Sequence, residues 1–145
     1  RRHGIPCYLP LMKRAQRYQR RTVKTYLPMF RSYLFAQLHP GTQSVLMESH
    51  KALRVVTVTP EQEGQLIGEL QDIQLMEAAQ EQAELIVLPD LVVGTRVLVK
   101  DGPLRGMTGI VEKRRNKTRV IVNVDLLGQA VCAEMDVGEI EPDKE

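Results

Sequence analysis

The chain lacks the features of membrane-spanning, disulfide-rich and zinc-binding proteins. No apolar run among its 145 residues approaches the roughly 20 residues that a membrane-spanning helix needs. The two cysteines, Cys7 and Cys132, are far apart in the sequence and lie among apolar neighbours, which fits neither a disulfide framework nor zinc-ligand spacing. We therefore expect a reduced, cytoplasmic protein that does not associate with membranes.

Motifs for catalysis and cofactor binding are also missing. The three histidines stand apart in the sequence, and there is no nucleophile elbow, phosphate-binding loop or dinucleotide fingerprint. Glu69, Asp72 and Glu77 recur at helical spacing, but acidic residues in that pattern are more typical of a solvated helix face than of a metal site. We expect no enzymatic activity, no cofactor and no bound metal.

Acidic residues are absent from the first third of the chain. Residues 1–47 contain nine Lys or Arg and no Asp or Glu, whereas residues 48–90 contain nine acidic residues and two basic ones. This asymmetry indicates a polyanionic partner, either nucleic acid or an acidic protein face, although a solvated basic hairpin has the same composition. The basic segment "KRAQRYQRRTVK" (residues 13–24) has no clear apolar period, so we expect a mobile hairpin tip followed by a strand.

Apolar patterning predicts an α+β fold. Residues 33–38 and 54–58 have strand composition. A capping box from Thr59 to Gln62, with Pro60 at the first helical position, predicts a helix that ends near residue 80. Its apolar positions are Leu66, Ile67, Leu70 and Ile73. Residues 81–90 are predicted to be a linker. Four or five short strands follow (97–99, 108–113, 119–124, 130–134 and one at 140), which is typical of a small antiparallel barrel.

Two motifs resemble those of a known family, the bacterial NusG-type transcription factors. "VGTRVLVKDGPLRGMTGIVEK" is similar to the opening of their KOW domain, at Gly94, Val97, Val99, Asp101, Gly102, Pro103, Gly106, Gly109 and Val111. Upstream, "LPMFRSYLFAQL" looks like the signature strand of their amino-terminal domain. The resemblance covers nearly the whole chain. It implies a NusG-type amino-terminal α/β sandwich at residues 1–80 without its first strand and helix, a linker at 81–90, and a KOW β-barrel at 91–145.

The chain departs from the family pattern at two places. Arg31 and Ser32 stand where the family has Pro-Gly, which indicates a specialised paralogue. In the barrel loop, Leu127 replaces an aromatic residue and Gln129 replaces an arginine.

The resemblance implies a monomeric elongation factor that binds RNA polymerase at the clamp helices of its largest subunit. Such a factor modulates pausing and termination, here as a specialised processive antiterminator. An exposed patch of Met29, Phe30 and Tyr33 is expected to dock on the polymerase, although Phe30 and Tyr33 could instead fill the core. The alternative function is a KOW-containing module that binds RNA or associates with the ribosome.

The resemblance also implies two further contact surfaces. Upstream or non-template DNA is expected to meet a set of basic residues, namely Lys13, Arg14, Arg17, Arg20, Arg21 and Arg54. Termination factor Rho or a small-subunit ribosomal protein is expected at the barrel loop formed by Leu126, Leu127, Gly128 and Gln129.

Overall fold

The computed structural model describes residues 6–18, 20–39, 41, 44, 47–48, 55–114, 117–135 and 140–142. Within these ranges, one long helix and ten strands in three antiparallel sheets confirm the mixed α and β content. The elements are β1 Cys7–Tyr8, β2 Leu11–Tyr18, β3 Arg21–Pro28, β4 Phe35–Ala36, α1 Pro60–Ala78, β5 Glu84–Leu88, β6 Thr95–Val99, β7 Thr108–Arg114, β8 Lys117–Val124, β9 Gln129–Met135 and β10 Ile140–Pro142.

Helix α1 begins where the capping box predicts. The Gln62 backbone N–H donates to the Thr59 hydroxyl at 3.2 Å, and the Thr59 backbone N–H donates to the Gln62 side chain at 3.0 Å. Ile73 is buried, as predicted. Ile67 was predicted to pack on the same face of the helix, but it is 49% exposed. At about 100° per residue, Ile67 lies to one side of the line through Leu66 and Ile73.

The largest sheet contains six antiparallel strands in the order β10-β6-β7-β8-β9-β5. All the strands predicted after residue 91 are present, within a few residues of their expected ends. Among the described residues, β5 and β10 are the two outer strands of this sheet and no pairing between them is seen.

Part of the segment predicted as a linker is a strand of this sheet. Leu85 pairs with Ala133 and Val87 pairs with Val131, which makes β5 the neighbour of β9. The physical reason is the apolar run "ELIVL", which pairs its backbone along β9 while Leu85 and Val87 contribute to the core.

A single hydrophobic core connects the two regions that were expected to be separate domains. It contains residues from the N-terminal loops, from α1 and from one face of the large sheet: Met29, Phe30, Ile73, Met76, Val97, Val99, Leu104, Met107, Val120, Val122, Val124 and Val131. Since β8 alternates, Ile121 belongs to a smaller cluster on the other face, with Ala130 and Cys132. Asn123 holds a loop beside that face, because its side chain bonds both the N–H and the carbonyl of Val92 at 2.9 and 2.8 Å.

The N-terminal third differs from the predicted strand pattern. β2 and β3 pair over eight residues each, from Leu11 with Pro28 to Tyr18 with Arg21. The strand expected after the hairpin tip is therefore present as β3, whereas the residues up to Tyr18, which were expected to belong to the tip, form the paired strand β2. Cross-strand pairing satisfies the backbone there without an apolar period. Of the strand expected at 54–58, residues 55–58 are not in a strand, because β-branched composition alone supplies no pairing partner.

Candidate nucleic-acid interface

β2 and β3 form a two-stranded basic ribbon. In the part of the chain that the structure describes, these two strands pair only with each other. Arg14 lies opposite Thr25, whose hydroxyl donates to the Arg14 carbonyl at 3.3 Å. Arg14, Arg20 and Arg21 are exposed, and no acidic residue occurs between Leu11 and Pro28. Three of the predicted nucleic-acid-binding side chains therefore share one exposed element.

The base of the ribbon is attached to the C-terminal end of α1. The Leu11 backbone N–H donates to a Glu77 carboxylate oxygen at 2.8 Å. The Lys13 backbone N–H donates to the Gln80 side chain at 2.6 Å, and Gln80 donates in return to the Leu11 carbonyl at 2.9 Å. These bonds fix the direction in which the ribbon leaves the helix.

Two further contacts strengthen this attachment. The Tyr8 hydroxyl donates to Glu77 at 2.7 Å, and burial together with that hydrogen bond and the Glu77 charge raises the pKa of Tyr8. The Lys13 ammonium lies 2.6 Å from a Glu81 carboxylate oxygen. Lys13 is thus part of the attachment, although it was predicted to contact nucleic acid. The paired carboxylate is far away in the sequence, so the segment around Lys13 gave no signal of this contact.

Two further residues, Arg17 and Arg54, were predicted to bind nucleic acid. Arg17 lies opposite Thr22 in the strand register. Arg54 lies outside the described residues.

The three residues predicted to form a docking patch are divided between core and surface. Met29 and Phe30 are buried, with Phe30 only 1% exposed, so their expected exposure is wrong. The Phe30 ring meets Phe35 edge-on at a centroid distance of 6.3 Å. Burying such a ring contributes roughly 2–3 kcal/mol, which favours the core position. Tyr33 is 41% exposed.

Two exposed leucines lie close to Tyr33 and to the pairing of β1 with β4. Tyr8 pairs with Phe35, and Leu9 and Leu34 are the residues that directly follow and precede that pair in the sequence. Both leucines are exposed. We call Leu9, Tyr33 and Leu34 the apolar patch.

The predicted partner loop lies against α1. Its first residues form a 3-10 turn, Asp125–Leu127, before Gly128 and the start of β9. The Gln65 side-chain amide donates to the Asp125 carboxylate, and the Asp125 backbone N–H donates to Glu69 at 3.4 Å. Leu126 and Gln129 are half-buried, Leu127 packs against the main core and Gly128 is exposed. The helix therefore covers part of this loop.

A cleft of about 190 Å³ separates α1 from the sheet beside this loop. Burial raises the pKa of Asp72 to about 6, against hydrogen bonds from the Thr108 backbone and side chain and the charge of Arg96. Burial also raises the pKa of Glu69. These two carboxylates were predicted on a solvated helix face, and they instead line the helix–sheet junction. Within the described ranges, no group of three or more His, Cys, Asp or Glu residues could hold a metal ion.

Comparison with known proteins returns no relatives: no protein-family model matches the chain, and no curated protein matches it. In the part of the chain that the structure describes, none of the helices combines the length and the apolar character needed to cross a membrane.

Proposed function

We propose that the chain is a NusG-like transcription elongation factor that binds RNA polymerase and modulates pausing and termination, as a specialised processive antiterminator. The observation that carries the proposal is the backbone of the motif "KDGPLRGMTG" between β6 and β7. This is the motif on which the resemblance to the KOW domain depends.

Two of the glycines of this motif have a structural reason. Gly106 adopts φ +90, a conformation that residues with a side chain rarely reach, while its N–H donates to the Val99 carbonyl at 2.9 Å. A Cβ on Gly109 would lie 2.7 Å from the Ile121 carbonyl oxygen, closer than packed atoms approach. The motif thus describes a tight turn and a close approach between the neighbouring strands β7 and β8, which supports the reading of β6–β10 as a KOW unit.

The apolar patch and the basic ribbon are the surfaces we assign to the transcribing complex. Tyr33 belongs to the predicted docking site and, with Leu9 and Leu34, offers an exposed apolar surface of the kind that protein partners bury. We assign Phe30 to the buried core that supports this surface, and not to the contact with the polymerase clamp helices. We assign Rho or a small-subunit ribosomal protein to the exposed end of the loop at Gly128.

Co-elution with bacterial RNA polymerase core tests the proposal. We expect the intact chain to co-elute, and a Tyr33→Ala, Leu34→Ser double variant to bind at least about tenfold more weakly, which corresponds to about 1.4 kcal/mol. Val93→Ser is the matched control, because Val93 is a 98% exposed apolar residue outside the patch. Equal losses in both variants, or no binding by the intact chain, contradict the proposal.

The exposed arginines of the ribbon favour a second candidate, a module that binds structured RNA or the ribosome. Arg14, Arg20 and Arg21 are exposed, whereas most of the expected polymerase patch is buried. Binding to structured RNA together with no retention on polymerase would favour this candidate over the first.

A further inference from the structure

We propose that the outer half of the basic ribbon, residues 14–18 and 21–25, binds in the major groove of duplex DNA. This deepens the proposed function, and rests on it for the setting in which DNA is met. The groove contact itself is a property of the ribbon and can be measured without polymerase.

The dimensions of the ribbon suit this groove. Five residues per strand span about 15 Å, and the paired strands lie about 4.8 Å apart. The major groove of B-form DNA is about 12 Å wide and about 8.5 Å deep, and it admits a two-stranded ribbon. The major groove of A-form RNA is too narrow for side chains to enter. Shape therefore favours a DNA duplex over an RNA duplex as the partner.

The charge of the ribbon is complementary to the walls of the groove. The outer half contains Arg14, Arg17, Arg20, Arg21 and Lys24 and no acidic residue. The side chains of Arg14 and Arg21 are exposed near the two ends of the outer half, and Arg20 is exposed in the turn. Arginine donors can reach phosphates on both sides of a groove as well as guanine edges within it.

The attachment at the base separates binding residues from orienting residues. Lys13 pairs with Glu81 at 2.6 Å, and the Lys13 and Leu11 N–H groups bond to the end of α1. The ribbon therefore projects from a fixed base. Because its base is already ordered, binding in the groove costs less conformational entropy than it would for a freely moving hairpin. Lys13 orients the ribbon, while the arginines beyond it contact the DNA.

Fluorescence anisotropy with the full chain tests the proposal. The probes are a B-form DNA duplex of about 20 base pairs, an RNA duplex of the same sequence, and the same DNA with bulky glucosyl groups on the C5 position of its cytosines. These groups fill the major groove and leave the phosphates unchanged. We expect at least about tenfold tighter binding to the plain DNA than to either of the other two.

Variants identify the residues responsible. Between about 50 and 200 mM salt, we expect Arg14→Ala, Arg20→Ala and Arg21→Ala each to reduce the slope of log affinity against log salt by about 0.9. Arg105→Ala, an exposed arginine in the turn between β6 and β7, is the matched control and should leave the slope unchanged. Circular dichroism of each variant checks that the fold persists.

Several outcomes overturn the proposal. Equal affinity for the RNA duplex, equal affinity for the glucosylated DNA, or the same loss with Arg105→Ala each exclude the groove contact. Failure to bind DNA while co-elution with polymerase persists would remove this inference and leave the proposed function standing. DNA binding without polymerase binding would support the groove contact and contradict the proposed function.

Discussion

The basic ribbon and the six-stranded sheet are both antiparallel, but they are stabilised in different ways. Within the described residues, each strand of the ribbon has one neighbour, and Arg14, Arg21, Thr25 and Tyr26 are exposed on it. The sheet has apolar clusters on both faces, with Val120 and Val122 on one and Ile121 on the other. An isolated two-stranded hairpin is marginally stable in water, so the ribbon depends on its attachment to α1.

Because of this difference, we expect the outer ribbon to determine binding, and the sheet with its core to determine stability. Substitutions in the outer ribbon should change binding and leave folding almost unaltered, because exposed surface positions usually affect stability by less than about 0.5 kcal/mol. Substitutions in the sheet and its core should do the opposite. The following changes test where the boundary between the two regions lies.

The largest effect is expected at Phe30. Phe30→Ala should lower the free energy of unfolding by about 3–5 kcal/mol, because it removes a fully buried ring and leaves a cavity. Tyr33→Ala, at the half-exposed neighbour, should cost about 1 kcal/mol or less. Urea denaturation of both variants gives the comparison. Similar small losses would mean that Phe30 belongs to the surface after all.

Next in size is the close strand contact at Gly109. Gly109→Ala should lower the free energy of unfolding by about 2 kcal/mol or more, since its Cβ would lie 2.7 Å from the Ile121 carbonyl oxygen. Gly68→Ala is the matched control: its Cβ meets nothing within 4 Å, and Ala should stabilise α1 by about 0.5–1 kcal/mol. Thermal unfolding distinguishes the two, and a tolerated Gly109→Ala would contradict the packing of β7 on β8.

The smallest effect concerns pH and the helix–sheet junction. The pKa of Asp72 is raised from 3.8 to about 6, so the folded state prefers the protonated carboxyl. Its contribution to stability is therefore greatest below the unfolded pKa, falls as pH rises through about 6, and is constant above that. Asp72→Asn should raise the free energy of unfolding by about 1 kcal/mol near pH 7.5, after allowance for solvent screening, and have no effect near pH 3.5.

Urea denaturation across this pH range measures the effect. Asp90→Asn is the control, because Asp90 is an exposed carboxylate in the loop after β5. A gain for Asp72→Asn that does not depend on pH would show that the carboxylate charge is not its cause.

Several elements could be predicted because their signals are local. The capping box at Thr59 specifies the start of α1 through two hydrogen bonds within four residues. The strands from β6 to β9 follow from short apolar alternations bounded by turns. The positions of Gly106 and Gly109 agree with the tight turn and with the close approach of β7 to β8. Each of these signals depends on neighbours in the chain.

Other features depended on distant partners and were missed. β5 was read as a linker, because an apolar run of five residues becomes a strand only when an edge such as β9 is available. Phe30 was expected outside, and the contact of Lys13 with Glu81 joins residues 68 positions apart. Asp72 was placed on a solvated face, because its spacing carries no information on which surface α1 would cover.

The amino-acid sequence by itself determined the helix start, the strands from β6 to β9 and the concentration of positive charge before residue 25, since these follow from short-range propensity and composition. Only the tertiary structure decided which apolar residues pack together in the core. It also decided that Lys13 pairs with Glu81 at the base of the ribbon and that Glu69 and Asp72 are partly buried at the helix–sheet junction. Those outcomes depend on contacts between segments far apart in the chain, where burial and charge pairing set the free energy.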